Sequence, residues 1–202
     1  MLKICHRTRW DTNESGTTDA VLVSRWPSDY PVVPMTSAGQ IQAQQSRTTF
    51  RRECSVALEI QAPVEKVWAI LTDANNMTRW NSTLTSIEGP IELGSTVSMQ
   101  VPEAPGRTFK PTVTRFQPNR EMEWREGNSV MFLGVRTYAL TPSADGRATA
   151  FRMTEVFTGL MLPMIGGRLP DFGPIFERYA ADLKAEAERS SGSGSDPGST
   201  PL

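Results

Sequence analysis

The chain has 202 residues, with 21 Lys and Arg, 22 Asp and Glu and a single histidine, which gives a net charge of −1. This near-neutral balance gives no compositional support for binding nucleic acid or anionic membrane surfaces through a basic field. The one histidine, His6, stands at the extreme N-terminus, which disfavours mechanisms that need an imidazole base or several imidazole ligands. Cys5 and Cys54 show no CxxC spacing, so neither a disulfide scaffold nor a zinc ribbon is expected.

Apolar runs in the sequence are short. The longest, residues 160–165, is broken by Pro163 and is far below the roughly 20 residues that cross a bilayer. The first residues lack the apolar core of a secretory signal, and the acids Asp11, Glu14 and Asp19 are unlike a transit peptide. We therefore expect a cytoplasmic protein with no integral membrane association.

Composition divides the chain into three parts. Residues 1–50 mix Thr, Ser, Gln, Pro and scattered charge without a sustained period, which predicts a mostly disordered extension, and Met35 is an alternative start. Residues 190–202 are predicted to be a flexible tail rich in Gly, Ser and Pro. The segments with a regular period all fall within 51–189, a length typical of one domain.

The N-terminal part of this domain is predicted to contain a strand followed by two short helices. Residues 55–61 alternate apolar and polar side chains over most of their length, as a half-buried strand does, and Ala62-Pro63 ends the strand. Residues 65–72 have the spacing of a short amphipathic helix. Residues 75–80 form a second short helical turn that ends at Trp80-Asn81.

The remainder is predicted to be a meander closed by a long helix. Turn residues recur at regular spacing through 84–159, which indicates consecutive antiparallel strands. A set of apolar residues then recurs at helical spacing and predicts a C-terminal helix with one buried face: Phe172, Ile175, Phe176, Tyr179 and Leu183. A helix on a strongly bent antiparallel sheet is an α+β arrangement.

The sequence resembles the polyketide cyclase/dehydrase-like branch of the SRPBCC (START-like, Bet v 1-like) superfamily across about residues 53–188. The resemblance is carried, in order, by APVEKVWAILTDANNMTRWNSTL, TFKPTVTRFQPNREMEW and GVRTYALTPSADGRATAFRMTEVFTGLMLP. It implies a helix-grip fold, in which a seven-stranded bent sheet wraps around the long C-terminal helix, with two short helices after the first strand and a deep apolar pocket. Because this superfamily places carriers, receptors, cyclases and chaperone cofactors on one scaffold, the resemblance does not select a function.

The Asp145-Gly146 dipeptide predicts how the last two strands pair. Asp-Gly favours a two-residue type I′ turn, so residues whose numbers sum to 291 are expected to lie opposite each other. Side chains alternate along a strand, so the paired residues share one face, and its apolar character predicts that it faces the helix and the pocket. The pairs are Leu140 with Phe151, Tyr138 with Met153, Arg136 with Glu155 and Gly134 with Phe157.

Arg136 and Glu155 are the polar exceptions on this apolar face. A buried arginine without a partner is costly, and a bidentate carboxylate pair would satisfy it, so one interpretation is a structural ion pair. The other is that Glu155 orients the guanidinium to bind a ligand carboxylate, carbonyl or enolate. Relatives usually carry histidine at the position of Arg136, and arginine cannot shuttle a proton near neutral pH.

Two further features border the expected pocket. Trp80 matches the Trp-Asn signature of the family and is either core packing at the pocket rim or a stacking contact with a flat ligand. Residues 159–167 form either a packed helical turn or a mobile lip, in which Met161 and Met164 would be adaptable ligand contacts.

No standard catalytic set stands out in residues 51–189. They contain no histidine, no phosphate-binding loop and no evident acid/base pair, so the only catalytic candidates are Arg136, Glu155 and Tyr138. Neither a metal nor a cofactor is expected. The residues expected to line the pocket are Trp80, Phe132, Arg136, Tyr138, Met153, Glu155, Phe157, Met161, Met164, Phe176 and Tyr179.

Three functions remain open. The first, favoured because no proton shuttle is evident, is noncatalytic binding of a lipid-like, aromatic or polyketide-like molecule. The second is a polyketide cyclase or dehydratase that acts on a carbonyl substrate. The third is a protein-interaction module similar to the Hsp90-activator branch, for which the sequence shows no docking motif. The expected partner is a small hydrophobic ligand, and the oligomeric state is left open.

Overall fold

The computed structural model describes residues 41–189. The strands are β1 Gln44–Arg47, β2 Arg51–Ile60, β3 Ser86–Glu88, β4 Ser98–Gln100, β5 Thr112–Gln117, β6 Glu121–Asn128, β7 Phe132–Pro142 and β8 Thr149–Thr158. The helices are α1 Val64–Thr72, α2 Ala74–Trp80, α3 Leu162–Ile165 and α4 Phe172–Glu188, with a 3₁₀ turn at Gly166–Arg168. The predicted strand, two short helices and long C-terminal helix are confirmed. The disorder predicted for residues 1–40 and 190–202 lies outside the described residues.

Six strands form one antiparallel sheet in the order β1-β2-β8-β7-β6-β5, and β3 pairs with β4 in a separate ribbon. The α+β helix-grip architecture is confirmed, but the predicted count of seven strands in one sheet is wrong. An isolated bridge between Thr96 and Thr112 links the ribbon segment to the large sheet. The Val97 N–H donates to the Pro111 carbonyl at 3.0 Å, but Pro111 has no N–H to donate in return, so the pairing between β4 and β5 is interrupted there.

Strand β1 lies inside the stretch for which the sequence predicts mostly disorder. Its residues, Gln44–Arg47, pair with β2 from Gln44–Ser55 to Arg47–Arg52. All four side chains are exposed, so the strand has no alternating apolar pattern by which the sequence could reveal it. The ordered part therefore begins earlier than residue 51.

The β7–β8 pairing follows the sum of 291 along its length, from Leu133–Thr158 to Pro142–Thr149, which confirms the predicted register. The turn is not the predicted type I′, which requires a positive φ at both central residues. Gly146 has a φ of 70°, whereas Asp145 has no positive φ. The Gly146 N–H donates to the Ser143 carbonyl at 3.0 Å, as in a type I turn. The Asp145 carboxylate accepts from Ser143 Oγ at 2.7 Å and from the Arg147 N–H at 3.1 Å, which stabilises this turn. The predicted two-residue loop and the observed four-residue loop are both centred between Asp145 and Gly146, so both give the same pairing of β7 with β8.

Helix α4 covers the inner face of the sheet. Phe176, Ala180 and Leu183 are fully buried along it, and Asp171 caps its first turn by accepting the Gly173 N–H at 3.1 Å. Lys184 Nζ donates to the Glu59 carbonyl at 2.8 Å, which ties the second half of the helix to β2. The apolar core therefore lies between α4 and the sheet.

Helices α1 and α2 close one side of this core through Val67, Leu71 and Met77, which are buried. Asp73 separates the two helices and accepts the Asn76 N–H at 3.3 Å. No helix among residues 41–189 is both long enough and apolar enough to span a bilayer.

The large sheet has two ends, which we name by a residue at each. The Asp145 end carries the β5–β6 and β7–β8 turns. At the Gly159 end the β1–β2 turn, the β6–β7 turn and the residues after β8 meet through backbone hydrogen bonds. The Gly159 N–H donates to the Phe50 carbonyl at 3.4 Å, and the Leu160 N–H donates to the Val130 carbonyl at 3.0 Å. Gly159 has a φ of +132°, and a Cβ there would lie 2.3 Å from the Met131 carbonyl oxygen, so the junction requires glycine.

Candidate functional site

A row of four inner-face residues crosses the centre of the sheet. Cys54 of β2 pairs with Glu155 of β8, Glu155 pairs with Arg136 of β7, and Arg136 pairs with Trp124 of β6. Residues that pair directly across a sheet point to the same face, so these side chains all face α4. We call them the polar row. The opposition of Arg136 and Glu155 is as the hairpin register predicts.

The Arg136 guanidinium donates twice to one carboxylate oxygen, Oε2 of Glu155, from Nε at 3.2 Å and from Nη2 at 2.5 Å. The bidentate pair across both oxygens that the sequence suggests is therefore wrong. Burial alone would lower the pKa of Arg136, but the Glu155 carboxylate raises that pKa above its ordinary value, so the guanidinium stays charged.

The Arg136–Glu155 ion pair is covered by α4 but remains partly accessible. Arg136 and Glu155 lie on the covered face of the sheet, yet 23% and 12% of their side-chain surfaces are accessible. The Arg136 Cζ also lies 5.5 Å from the centre of the Phe176 ring of α4. The neighbouring side chains therefore do not seal the ion pair, although it lies between the sheet and α4.

Three buried hydrogen-bond donors surround the pair. Burial raises the pKa of Tyr138, and it raises the pKa of Tyr179 well above its ordinary value, so both phenols are protonated. Within residues 41–189, the Trp124 Nε1 and the Tyr179 hydroxyl have no hydrogen-bond partner of good geometry. The Tyr179 hydroxyl does interact with that of Tyr138, and this contact affects the pKa of both phenols. Because buried donors are usually satisfied, Trp124 Nε1 beside Arg136 is the donor that indicates a place for an acceptor.

Aromatic rings connect the polar row to the Gly159 end. Phe132 stacks on Phe157 with ring centres 5.6 Å apart, and Phe157 stacks on Phe172 at 4.9 Å. Phe172 meets Phe176 edge to face at 6.3 Å. Phe132 and Phe172 are half-buried, whereas Phe176 is fully buried, so the column leads from a partly accessible surface to the guanidinium.

Cys54 ends the polar row on β2 and is 3% exposed. Burial, with the Glu155 carboxylate as the next contribution, raises the pKa of the Cys54 thiol to about 12. A thiol with so high a pKa is a poor nucleophile at neutral pH, so Cys54 belongs to the packing of the site.

The structure brings most of the residues expected to line the pocket into one inner-face cluster with the polar row. Trp80 borders this cluster, with its ring edge to face with Tyr179 at 5.6 Å. Met161 is half-buried at the Gly159 end, whereas Met164 is 77% exposed and points away from the interior. The cluster comprises Phe132, Arg136, Tyr138, Met153, Glu155, Phe157, Phe176 and Tyr179.

Two members of the site were not assigned to it by sequence. Trp124 is not among the residues expected to line the pocket, because its pairing with Arg136 depends on the β6–β7 register, which no Asp-Gly turn fixes. Phe172 was assigned to the helix face alone, although it lies between Phe157 and Phe176. In the connection 159–167, Leu162 is buried in a helical turn, as the first alternative predicts, whereas Leu160 and Met164 are exposed. The mobile lip stays a prediction.

A separate groove of about 720 Å³ lies at the junction of α1 and α2. It is lined by Thr72, Asp73, Ala74, Asn75, Gly89, Pro90, Ile91, Glu92 and Phe116, none of which belongs to the polar row. Among residues 41–189, no three His, Cys, Asp or Glu side chains form a group that could hold a metal ion.

Comparison with solved structures places this arrangement in a known fold. A START superfamily protein from Mycobacterium smegmatis is 17% identical, over 67% of this chain and 97% of that one, with a TM-score of 0.50. CalU16 from Micromonospora echinospora is 20% identical over 82% and 81% of the chains, with a TM-score of 0.51. Truncated norcoclaurine synthase from Thalictrum flavum is 14% identical over 71% and 98%, with a TM-score of 0.52. At these identities the likeness shows the fold alone.

Sequence comparison assigns the family. No curated protein matches the chain. The family model described as polyketide cyclase/dehydrase and lipid transport matches residues 51–188, which span β2 to the end of α4 and include the whole polar row. The chain therefore belongs to the polyketide cyclase/dehydrase and lipid transport family.

Proposed function

We propose that the protein binds one small, largely apolar molecule between the sheet and α4, with an oxygen atom of that molecule at the polar row. The observation that carries this proposal is the Arg136–Glu155 pair, which is enclosed yet partly accessible. A buried ion pair that served packing alone would be expected to be sealed by apolar side chains. A few polar groups in an apolar cleft typically orient a ligand.

The charges at the site favour one kind of polar group on the ligand. Glu155 already neutralises Arg136, so the pair offers no net positive charge to a carboxylate. Trp124 Nε1 and the Tyr179 hydroxyl add neutral donors. A carbonyl or hydroxyl oxygen fits this set better than an anion does, and the aromatic column favours a flat ring or an acyl chain.

A second candidate is cyclase or dehydratase activity, which the converging donors favour. Arg136, Tyr138 and Tyr179 could polarise a substrate carbonyl as its oxygen gains negative charge. Arginine and tyrosines of raised pKa donate hydrogen bonds but are poor general bases at neutral pH. The cleft would then fold the substrate and stabilise an enolate, and the catalysed step would show little dependence on pH near neutrality.

Two fluorescent probes test the proposed binding. Nile red carries a carbonyl group, whereas N-phenyl-1-naphthylamine is comparably apolar and has no oxygen. We expect both to bind the full-length protein saturably with a stoichiometry near one. Arg136→Met should weaken Nile red about tenfold and the naphthylamine about twofold or less, because only the carbonyl loses a charged donor.

Arg125→Met is the matched control. Arg125 also pairs with a glutamate, Glu123, at 2.8 Å, but 51% of its side chain is exposed. It should change neither affinity. Absence of saturable binding of either probe, together with nothing in organic extracts of the purified protein, would overturn the proposal. Equal weakening of both probes by Arg136→Met would remove the oxygen contact from it.

A further inference from the structure

The Gly159 end of the sheet exposes a cluster of large apolar side chains. Six large hydrophobic residues are exposed among residues 41–189, and five of them lie at this end. Leu93 is the sixth and lies elsewhere, between β3 and β4. We call the five the apolar tip: Phe50 at 53%, Val130 at 61%, Met131 at 46%, Leu160 at 62% and Met164 at 77% exposure.

The apolar tip is built as one surface from three chain segments. Asn128 Oδ1 accepts the N–H groups of Val130 at 3.2 Å and Met131 at 2.8 Å, which holds the β6–β7 turn with both side chains outward. Backbone bonds join this turn to Leu160 and Met161, and Gly159 to Phe50. Turns of this kind usually carry polar residues, so apolar side chains on a fixed turn mark an interaction surface.

The charge around the apolar tip differs in sign from that of the whole chain. The segments 47–53, 128–132 and 158–167 contain three arginines and one acid, a net charge of +2, whereas the chain carries −1. Arg47 is exposed and has no ion pair within the described residues. Arg51 is 50% exposed beside Glu53. Apolar side chains with a basic border match the interface of an anionic lipid bilayer.

The apolar tip also lies where the aromatic column becomes accessible. Phe132 follows Met131 directly, and Phe157 precedes Gly159 by two residues. Arg52 of β2 donates from Nη1 to the Gly166 carbonyl at 2.8 Å, which holds the connection after α3 against the same end. A molecule that left the bilayer at this surface would meet the column that ends at Arg136.

We propose that the apolar tip docks on an anionic lipid surface, and that the apolar ligand passes between the bilayer and the cleft at this end. The ligand passage rests on the proposed function, whereas the docking does not. The partner is a bilayer rather than a second copy of the chain, because a second copy of this end would bring two surfaces of net positive charge together.

The test is sedimentation of the full-length protein with vesicles of phosphatidylcholine, alone or with 30% phosphatidylglycerol. We expect binding to the anionic vesicles that falls as salt is raised, and at least about tenfold weaker binding to the neutral ones. Leu160→Gln with Met164→Gln should reduce binding to anionic vesicles by at least about tenfold. Arg47→Gln should reduce it by a smaller factor. Leu93→Gln, an equally exposed position away from the tip, should bind as the native chain does.

The outcomes separate the two proposals. Native-like vesicle binding by the Leu160→Gln/Met164→Gln variant, or no binding by the native chain, would overturn the docking. Self-association of the native chain that this variant abolishes, without vesicle binding, would assign the tip to a second copy instead. Nile red binding without vesicles should be unchanged in the variant, so a failure of docking leaves the ligand proposal testable by itself.

Discussion

The inner face of the β7–β8 hairpin differs between its two ends, although side chains alternate between the two faces along its whole length. Towards the Asp145 end, Leu140, Phe151 and Leu58 pair across three strands with exposures of 3%, 0% and 6%. Towards the Gly159 end the same inner face holds the polar row and the half-buried Phe132. The difference indicates that tight packing is concentrated at the first end, while the second end holds the residues for which ligand contact is proposed.

The largest expected effect is on the alkylation rate of Cys54 in the polar row. Cys54 lies on this row, and burial raises the pKa of its thiol from the ordinary value of 9.0 to about 12. At pH 8 this shift alone should slow alkylation of Cys54 about a thousandfold relative to an unfolded control, because the thiolate is the nucleophile. Iodoacetamide labelling followed by peptide mass spectrometry, in a Cys5→Ser background, measures this. Rapid labelling of the folded chain would show that the row is open to water along its whole length.

Next in size is the effect of removing one aromatic ring from each end. Phe151→Ala should lower the free energy of unfolding by about 3–5 kcal/mol, because a fully buried ring that stacks on Tyr179 at 6.5 Å leaves a cavity. Phe132→Ala should cost about 1–2 kcal/mol, since its ring is half-buried. Urea unfolding compares the two. Similar losses would mean that the ends contribute equally to stability.

A smaller loss is expected when the ion pair is broken from one side. Glu155→Leu leaves the Arg136 charge without its partner and should cost about 2 kcal/mol, moderated by the accessible part of the guanidinium. Adding Arg136→Met should restore most of the loss, because an apolar pair replaces the unpaired charge. The same unfolding measurement tests both variants. A double variant as unstable as the single one would assign the pair a structural role.

The smallest effect lies at the Asp145 turn and depends on pH. Hydrogen bonds from Ser143 and the Arg147 N–H lower the pKa of the Asp145 carboxyl below its ordinary value. Its stabilising contribution is therefore present above the unfolded pKa and is lost as the pH falls through the folded pKa. The stability difference between the native chain and Asp145→Asn should shrink below about pH 4, as urea midpoints across this range would show. Parallel pH curves would contradict this role for the turn.

The hairpin register was the most informative prediction from sequence. Asp145-Gly146 fixed the opposition of Arg136 and Glu155, although the turn proved to be a four-residue loop, because both loops share one centre. The sequence could not reveal β1, since its four side chains are polar and exposed. Local periodicity also misses a strand whose partner is distant, and β3 and β4 are three residues each.

The polar row and the apolar tip were less predictable for a related reason. Trp124 joins the row through strand pairing, and the tip is assembled from three segments that are far apart in sequence. Composition averages charge over the whole chain, so a basic and apolar end is hidden within a net charge of −1. Hydrophobic residues at such positions look like core until the structure shows which of them is left uncovered.

The pairing of β2 with β8 also bears on the order in which the molecule folds. Arg136 and Glu155 are 19 residues apart, within one hairpin. By contrast, Cys54 meets Glu155 across about a hundred residues, so that contact closes a long loop and is expected late. The two charges can therefore pair while water still surrounds them, before β2 and α4 cover them. In a folding chain, Arg136 and Glu155 would then lose most of their hydration only after they have paired with each other.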